Sequence, residues 1–181
     1  MYSRTDLIES LKRYSSDFKA EQNFRDQFLQ LLEHPRAYFR DHLPGHITGS
    51  AWIVDEGREH TLLTHHAKLN RWLQPGGHAD GDENIFSVAL REAEEETGLK
   101  NLKRIGCSFF DIDIHTIPAR KDFPEHLHFD IRFLFEASRT EAFTITEESH
   151  ALAWQPLITI APLVNHSESI LRMAKKVREL L

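Results

Sequence analysis

Between Pro75 and Gly98 the chain is forced to break, then to form a helix, and that helix carries more negative charge than an ordinary surface accumulates. Pro75-Gly76-Gly77 must interrupt any regular element. Asp82 then stands where a helix N-cap would stand and Gly98 where a terminator would, so the spacing predicts a helix from about Glu83 to Thr97. Ala79 to Thr97 holds seven acidic residues, Asp80, Asp82, Glu83, Glu92, Glu94, Glu95 and Glu96, against the single basic Arg91. At about 100° per residue, Glu92, Glu95 and Glu96 fall on one arc, beside an apolar arc of Ile85, Phe86, Ala89, Leu90 and Ala93 that would pack on a sheet. Carboxylates gathered along such an edge suit a hard cation. Mg²⁺ prefers oxygen ligands and is usually held by one or two carboxylates plus substrate phosphates. A solvated acidic face is the ordinary explanation of a charge run. The preceding glycines shift the balance toward an ion, because they let the backbone approach a metal or phosphate closely.

The flanking sequence supplies the sheet. Residues 1 to about 45 read as helical, with Phe24, Phe28, Leu31 and Leu32 at i, i+4, i+7 and i+8. Ile47 to Val54 and His60 to His65 read as strands separated by Asp55-Glu56-Gly57. Cys107 to Ile114 and Leu127 to Glu136 read as two more, joined by a polar loop with Pro118 and Pro124. In the second of these, Leu127, Phe129, Ile131, Phe133 and Phe135 share one face, and His128, Asp130, Arg132 and Glu136 the other. Ala151 to Ile160 offers a further strand, and Ile170, Leu171, Ala174, Val177 and Leu181 give a closing helix an apolar stripe. Helices, strands, a central helix, strands and a final helix predict an α+β fold, a mixed sheet with helices outside it.

Composition narrows the partners. A chain of 181 residues with 40% hydrophobic content can bury one core. Its net charge of −6 leaves no surplus of Lys and Arg to neutralise a phosphate backbone, so nucleic acid is not expected as a partner. The lone Cys107 can form neither an internal disulfide nor a cysteine zinc cluster. Charged residues fill the segment from Met1 to Tyr14, no stretch approaches a membrane span, and a cytoplasmic location is expected.

The run Gly77-His-Ala-Asp-Gly-Asp-Glu83, seven residues, then Arg91-Glu92-Ala93-Glu94-Glu95-Glu96-Thr97-Gly98-Leu99 resembles the Nudix box, with Gly77, Glu83, Arg91, Glu92, Glu95, Glu96 and Gly98 at its fixed positions and Ala93 and Leu99 at its apolar ones. The resemblance spans Gly45 to about Pro156 and implies an α/β/α sandwich with a mixed sheet; residues 46–181 are read as that domain, and residues 1–45, which lie outside the resemblance, as a helical extension packed on it. It implies a Mg²⁺-dependent hydrolase, with Mn²⁺ as a substitute, that cleaves a phosphoanhydride in a small nucleoside diphosphate derivative. It further implies that Glu92, Glu95, Glu96 and the Gly77 carbonyl bind the metal, that Glu83 and Arg91 form a supporting pair, and that Glu92 serves as base or orients it. Family members often place a base on a later loop, and Glu147 or Glu148 is the candidate here, against a reading as a charged turn.

Twelve histidines raise a second question. Asp111, Asp113 and His115 alternate on one strand, and His128, Asp130 and Arg132 on the next. If the strands pair, the rows meet in a polar wall that could contact substrate or a second, transition-type metal, or simply be a hydrogen-bonded sheet face. His78, directly after the glycine pair, is expected to face the site. His34, His42 and His46 are expected on the surface or in loops. Substrate signatures known in Nudix subgroups are missing: there is no Ser-Gln-Pro-Trp run, Tyr2, Tyr14 and Tyr38 all precede the box, and Pro118 lies too far along. Two rival readings are an isopentenyl diphosphate isomerase-like enzyme using Cys107 and a non-catalytic nucleotide sensor. The intact box argues against both. The N-terminal helices leave a homodimer open.

Overall fold

The computed structural model describes residues 2–121, 123–147 and 149–180. Along it lie α1 (Arg4–Arg13), α2 (Lys19–Leu31), β1 (Gly45–Val54), β2 (His60–His66), β3 (Arg71–Leu73), β4 (Gly76–His78), α3 (Ile85–Thr97), β5 (Lys103–Ile105), β6 (Asp111–Ile117), β7 (His126–Glu136), β8 (Ser149–Pro156) and α4 (Glu168–Arg178).

Strand β1 is buried along its whole length because it has neighbours at both edges and layers on both faces. It runs parallel to β7 from Gly45 opposite Leu127 to Val54 opposite Glu136. At its other edge it pairs antiparallel with β2 at one end and with β4 at the other. The sheet continues from β2 to β3 and β8, and from β7 to β5 and β6. Alternation along the strands then sorts two cores. Ile47, Ala51 and Ile53 of β1, with Phe129, Ile131, Phe133 and Phe135 of β7, meet α1, α2 and α3 through Leu7, Leu11, Phe28, Ile85 and Val88. Trp52, Val54 and Leu134 point the other way and meet Ile170, Met173 and Val177 of α4. Burying each of these large apolar side chains contributes about 1.5–3 kcal/mol, so both layers are held chiefly by apolar contact. The expected sandwich with a mixed sheet is the observed one, and α1 and α2 are part of its first core.

Several boundaries differ from the expectations. Helix α3 begins at Ile85, with Asn84 as N-cap, its side chain accepting from the Ser87 backbone. Asp82 instead accepts from the Asn84 N–H at 2.8 Å, and Glu83 lies outside the helix. Gly98 ends the helix at φ 75°, as its position suggested. Gly76 and Gly77 do not sit outside regular structure. They open β4, which pairs with Ser50 and Gly49 of β1. The expected strand Cys107 to Ile114 is displaced to Asp111–Ile117, with a short β5 before it and Gly106 at φ 83° between them. His46 is no loop residue: β1 starts at Gly45, where pairing with β7 begins, and His46 is buried. Glu148 and Leu181 lie outside the described residues.

Candidate active site

Helix α3 carries the box carboxylates onto β4. Gly77 is required there by contact, since a Cβ would lie 2.4 Å from the Glu92 Cδ and 2.6 Å from each of its oxygens. Glu96, nearly buried one turn later, accepts a hydrogen bond from the Gly76 N–H at 2.9 Å. Arg91 bridges the rest: it pairs with Glu92 at 2.8 Å and Glu95 at 3.1 Å and donates to the His78 carbonyl at 3.3 Å. Glu95 itself is exposed. The shared arc therefore becomes an edge on which Glu92 and Glu96 are seated against β4 and Glu95 faces outward.

The expected Glu83–Arg91 pair is absent. Glu83, just before the N-cap, pairs with Arg4 of α1 at 2.8 Å, while Arg91 takes the two carboxylates nearest to it on its own helix. Glu147 lies in an exposed turn before β8. That loop is anchored at the C-terminal end of α3, where the Thr144 N–H donates to the Thr97 carbonyl at 2.8 Å. Cys107 is exposed between β5 and β6.

Strands β6 and β7 do pair, setting Asp111 opposite Arg132, Asp113 opposite Asp130 and His115 opposite His128. The half of this wall nearer α4 is structural. Arg132, whose side chain is 3% exposed, binds Asp130 at 2.7 Å, Asp111 at 3.1 Å, Asp113 at 3.2 Å and the Ser169 hydroxyl at 2.6 Å. It cannot contact substrate as the sequence suggested, because three carboxylates and α4 enclose it. Arg172 adds bonds to Asp111 and Asp113, and Lys176 joins Asp111 at 2.8 Å to Glu21 of α2 at 2.5 Å. Burial opposes ionisation of Asp113, yet Arg132, His115 and Arg172 hold its carboxyl well below the usual range. Asp111 is held low against the same burial, chiefly by Arg172, Arg132 and Lys176. Reading β6 and β7 alone missed Arg172 and Lys176, whose spacing of four on one helix face was the available signal.

The other half of the wall is made of imidazoles. His46 of β1 lies opposite His128 of β7, and His78 of β4 opposite Thr48 of β1, which places all three on one sheet face. Ring centroids are 4.9 Å apart for His46–His128, 4.9 Å for His78–His128 and 5.2 Å for His46–His78. His126 and His115 border the group, at 5.1 Å from His46 and 5.5 Å from His128. His46 is pushed down to about 4, first by burial and then by His78 and His126, the His42 backbone pulling weakly the other way. His78 is pushed down to about 4 by burial and then Arg40, and burial lowers His128 further still.

A family model described as the NUDIX domain matches residues 45–174. Among curated proteins the chain is 28% identical over 139 residues to one named probable DHNTP pyrophosphohydrolase from Lactococcus lactis subsp. cremoris (strain MG1363), across 76% of this chain and 81% of that one. Its fold is similar to that of a C. elegans Ap4A hydrolase binary complex, with a TM-score of 0.60 and 16% identity over 74% of this chain and 96% of that one. It is likewise similar to the E. coli dihydroneopterin triphosphate pyrophosphohydrolase, at 0.59 and 15% over 74% and 95%. The domain match across most of the chain, together with the box carboxylates seated on β4, makes this protein a member of the Nudix family and a hydrolase acting on acid anhydrides.

Proposed function

We propose that the protein is a Mg²⁺-dependent pyrophosphohydrolase that uses water to cleave a nucleoside diphosphate or polyphosphate linked to a second moiety. The observation that carries this reading is the seating of Glu92 against Gly77, with Arg91 bridging Glu92 and Glu95. The donor set fits a hard cation: Glu92, Glu95, Glu96 and the Gly77 carbonyl offer only oxygen, and the Arg91 guanidinium beside them fixes carboxylates without adding a nitrogen ligand. When bound, the ion lowers the pKa of a coordinated water and offsets the charge of the substrate phosphates.

The chain supplies positioning. Arg91 holds Glu92 and Glu95 at fixed places along α3, and the Gly76 N–H holds Glu96. Glu92 takes or relays the proton of the attacking water, with Glu147 as the alternative base from its anchored loop. His78 follows Gly77 but lies on the other face of β4, and with the neighbouring His115 and His128 it borders the part of the substrate that reaches past the box to that face. Residues 46–181 act as the catalytic domain, and residues 1–45 as an extension joined to it by the shared apolar core, the Arg4–Glu83 pair and Glu21.

The name of the Lactococcus relative adds dihydroneopterin triphosphate to the compounds worth testing. The experiment is hydrolysis of a panel with Mg²⁺ or Mn²⁺: dihydroneopterin triphosphate, Ap4A, ADP-ribose, NADH, coenzyme A, nucleotide sugars and nucleoside triphosphates, beside a Glu95→Gln control. Cleavage by wild type alone supports the reading and names the substrate. Binding of a panel member with no turnover under either ion overturns it and favours a sensor.

A further inference from the structure

The histidine group on the α4 side of the sheet has the composition of a separate ligand site. Its deepest member, His46, is 1% exposed, and neither ring nitrogen has a well-formed hydrogen bond. His128 Nε2 is buried and unpartnered in the same way. A buried polar atom without a partner costs about 1–3 kcal/mol, so two paired strands, β1 and β7, that bring such atoms to one spot call for an occupant. His46, His78 and His128 each present a ring nitrogen, and these nitrogens all lie within 4.8 Å of one another.

We propose that His46, His78 and His128 form a binding site for a nitrogen-preferring divalent transition ion, of which Zn²⁺ is the type, distinct from the oxygen-lined site on α3. Three neutral imidazoles with a fourth position left for water or a substrate oxygen match a tetrahedral zinc site. Metal–nitrogen bonds of about 2.0–2.1 Å at tetrahedral angles put the nitrogens about 3.4 Å apart, so binding draws them together from separations of at most 4.8 Å. Neutral imidazole is the form that binds such an ion, so occupancy releases any proton the rings hold.

The surroundings support the ring orientations. His126 Nδ1 sits 2.9 Å from the Pro124 carbonyl, and His115 Nδ1 sits 3.3 Å from Asp113, so both bordering rings are held by outer partners. His78 and His128 are only half-buried, which leaves a route in for the ion. The site is also separable from the box. Gly77 turns toward Glu92 of α3, so in strand alternation the next residue, His78, turns to the opposite face.

The test uses the full chain, stripped with chelator and then held in excess Mg²⁺ to occupy the oxygen site. Co²⁺ is titrated in as a spectroscopic stand-in for Zn²⁺, and the visible absorption band is read together with stoichiometry. The proposal expects one equivalent of Co²⁺ with an intense tetrahedral-type band that Zn²⁺ displaces. Glu95→Gln should retain that band, whereas His78→Ala and His128→Gln should weaken Co²⁺ affinity at least about tenfold, the scale on which even outer partners of a metal matter. His78→Ala, at a half-buried edge position, serves as the reporter if the more buried variant folds poorly. Absence of a band, its survival in both histidine variants, or its loss in Glu95→Gln overturns the proposal. None of these outcomes depends on turnover, so they stand apart from the hydrolysis panel.

Discussion

Replacing Arg132 with Met separates a structural role from a substrate contact. The guanidinium binds Asp111, Asp113 and Asp130 at 2.7–3.2 Å with its side chain 3% exposed. Without it, Arg172 still reaches Asp111 and Asp113, and Thr48 and Ser50 still donate to Asp130, but Asp130 loses its cationic partner. Removing one partner from a buried ion network costs about 3–5 kcal/mol. For a domain of this size each kcal/mol shifts Tm by about 2–4 °C, so Arg132→Met should lower Tm by roughly 6–20 °C. Thermal unfolding by circular dichroism reads this, and kcat/KM at a temperature where the variant is folded should stay within a few-fold of wild type. A Tm within about 2 °C of wild type combined with a hundredfold loss of kcat/KM would refute the reasoning and return Arg132 to the substrate, since a change of 1 kcal/mol is already worth that many degrees.

Asp111 and Asp113 are held below the usual carboxylate range by Arg172, Arg132 and Lys176, and an unfolded Asp titrates near about 3.9. Their contribution is therefore complete above about pH 5 and is lost progressively as pH falls from the unfolded value toward their lower folded values, so Tm should drop toward pH 3 and below in wild type and less steeply in Asp113→Asn. Gly77→Ala places a Cβ inside contact distance of the Glu92 carboxylate, the far end of a flexible side chain. Activity should fall at least about tenfold through misplacement of that carboxylate while Tm moves only a few degrees, and preserved kcat would contradict the role given to the close approach. Glu92→Gln should lower kcat about a hundredfold or more with the fold intact by circular dichroism.

Local patterns were readable where one element determined them. The helix stop at Gly98, the apolar arc of α3 and the alternation of β7 follow from spacing within a single segment, and all three are observed. The box glutamates were legible for the same reason. What the sequence hid were pairings between distant segments. Whether Gly76 and Gly77 form a strand depends on β1 having a free edge beside Thr48 to Ser50. His46 looked like a loop residue because its burial comes from β7, some eighty residues away, through the register that sets it opposite His128. Arg132 looked available because the residues that enclose it, Arg172 and Ser169, belong to a helix with no sequence link to β7. The Glu83–Arg91 pair failed similarly, since the competitor for Glu83 is Arg4 from the N-terminal helix.

That same long-range network sets unequal costs for its members. Among the described residues it joins four carboxylates, Glu21, Asp111, Asp113 and Asp130, to three cations, Arg132, Arg172 and Lys176. It is one negative charge in excess. Arg132→Met raises that excess to two, whereas Glu21→Gln balances it. The amide oxygen that Glu21→Gln leaves in place can still accept from Tyr14, which donates to Glu21 at 2.6 Å, and from the Ile112 N–H at 3.2 Å, so the substitution forfeits the ionic part of the bond to Lys176, the longer pairing with Arg172 at 3.8 Å and the bond donated by the Ser16 hydroxyl to the second oxygen at 2.5 Å, where the new amide group can only donate in return. A hydrogen bond to a charged group is worth about 1.5–3 kcal/mol, and relief of the excess charge offsets some of that loss. Glu21→Gln should therefore destabilise less than Arg132→Met when the two are unfolded side by side. If Glu21→Gln proves the more damaging, the tie between α2 and α4 outweighs charge balance, and the extension is held to the catalytic domain by this one buried carboxylate more than by Leu7, Leu11 and Phe28 in the shared core.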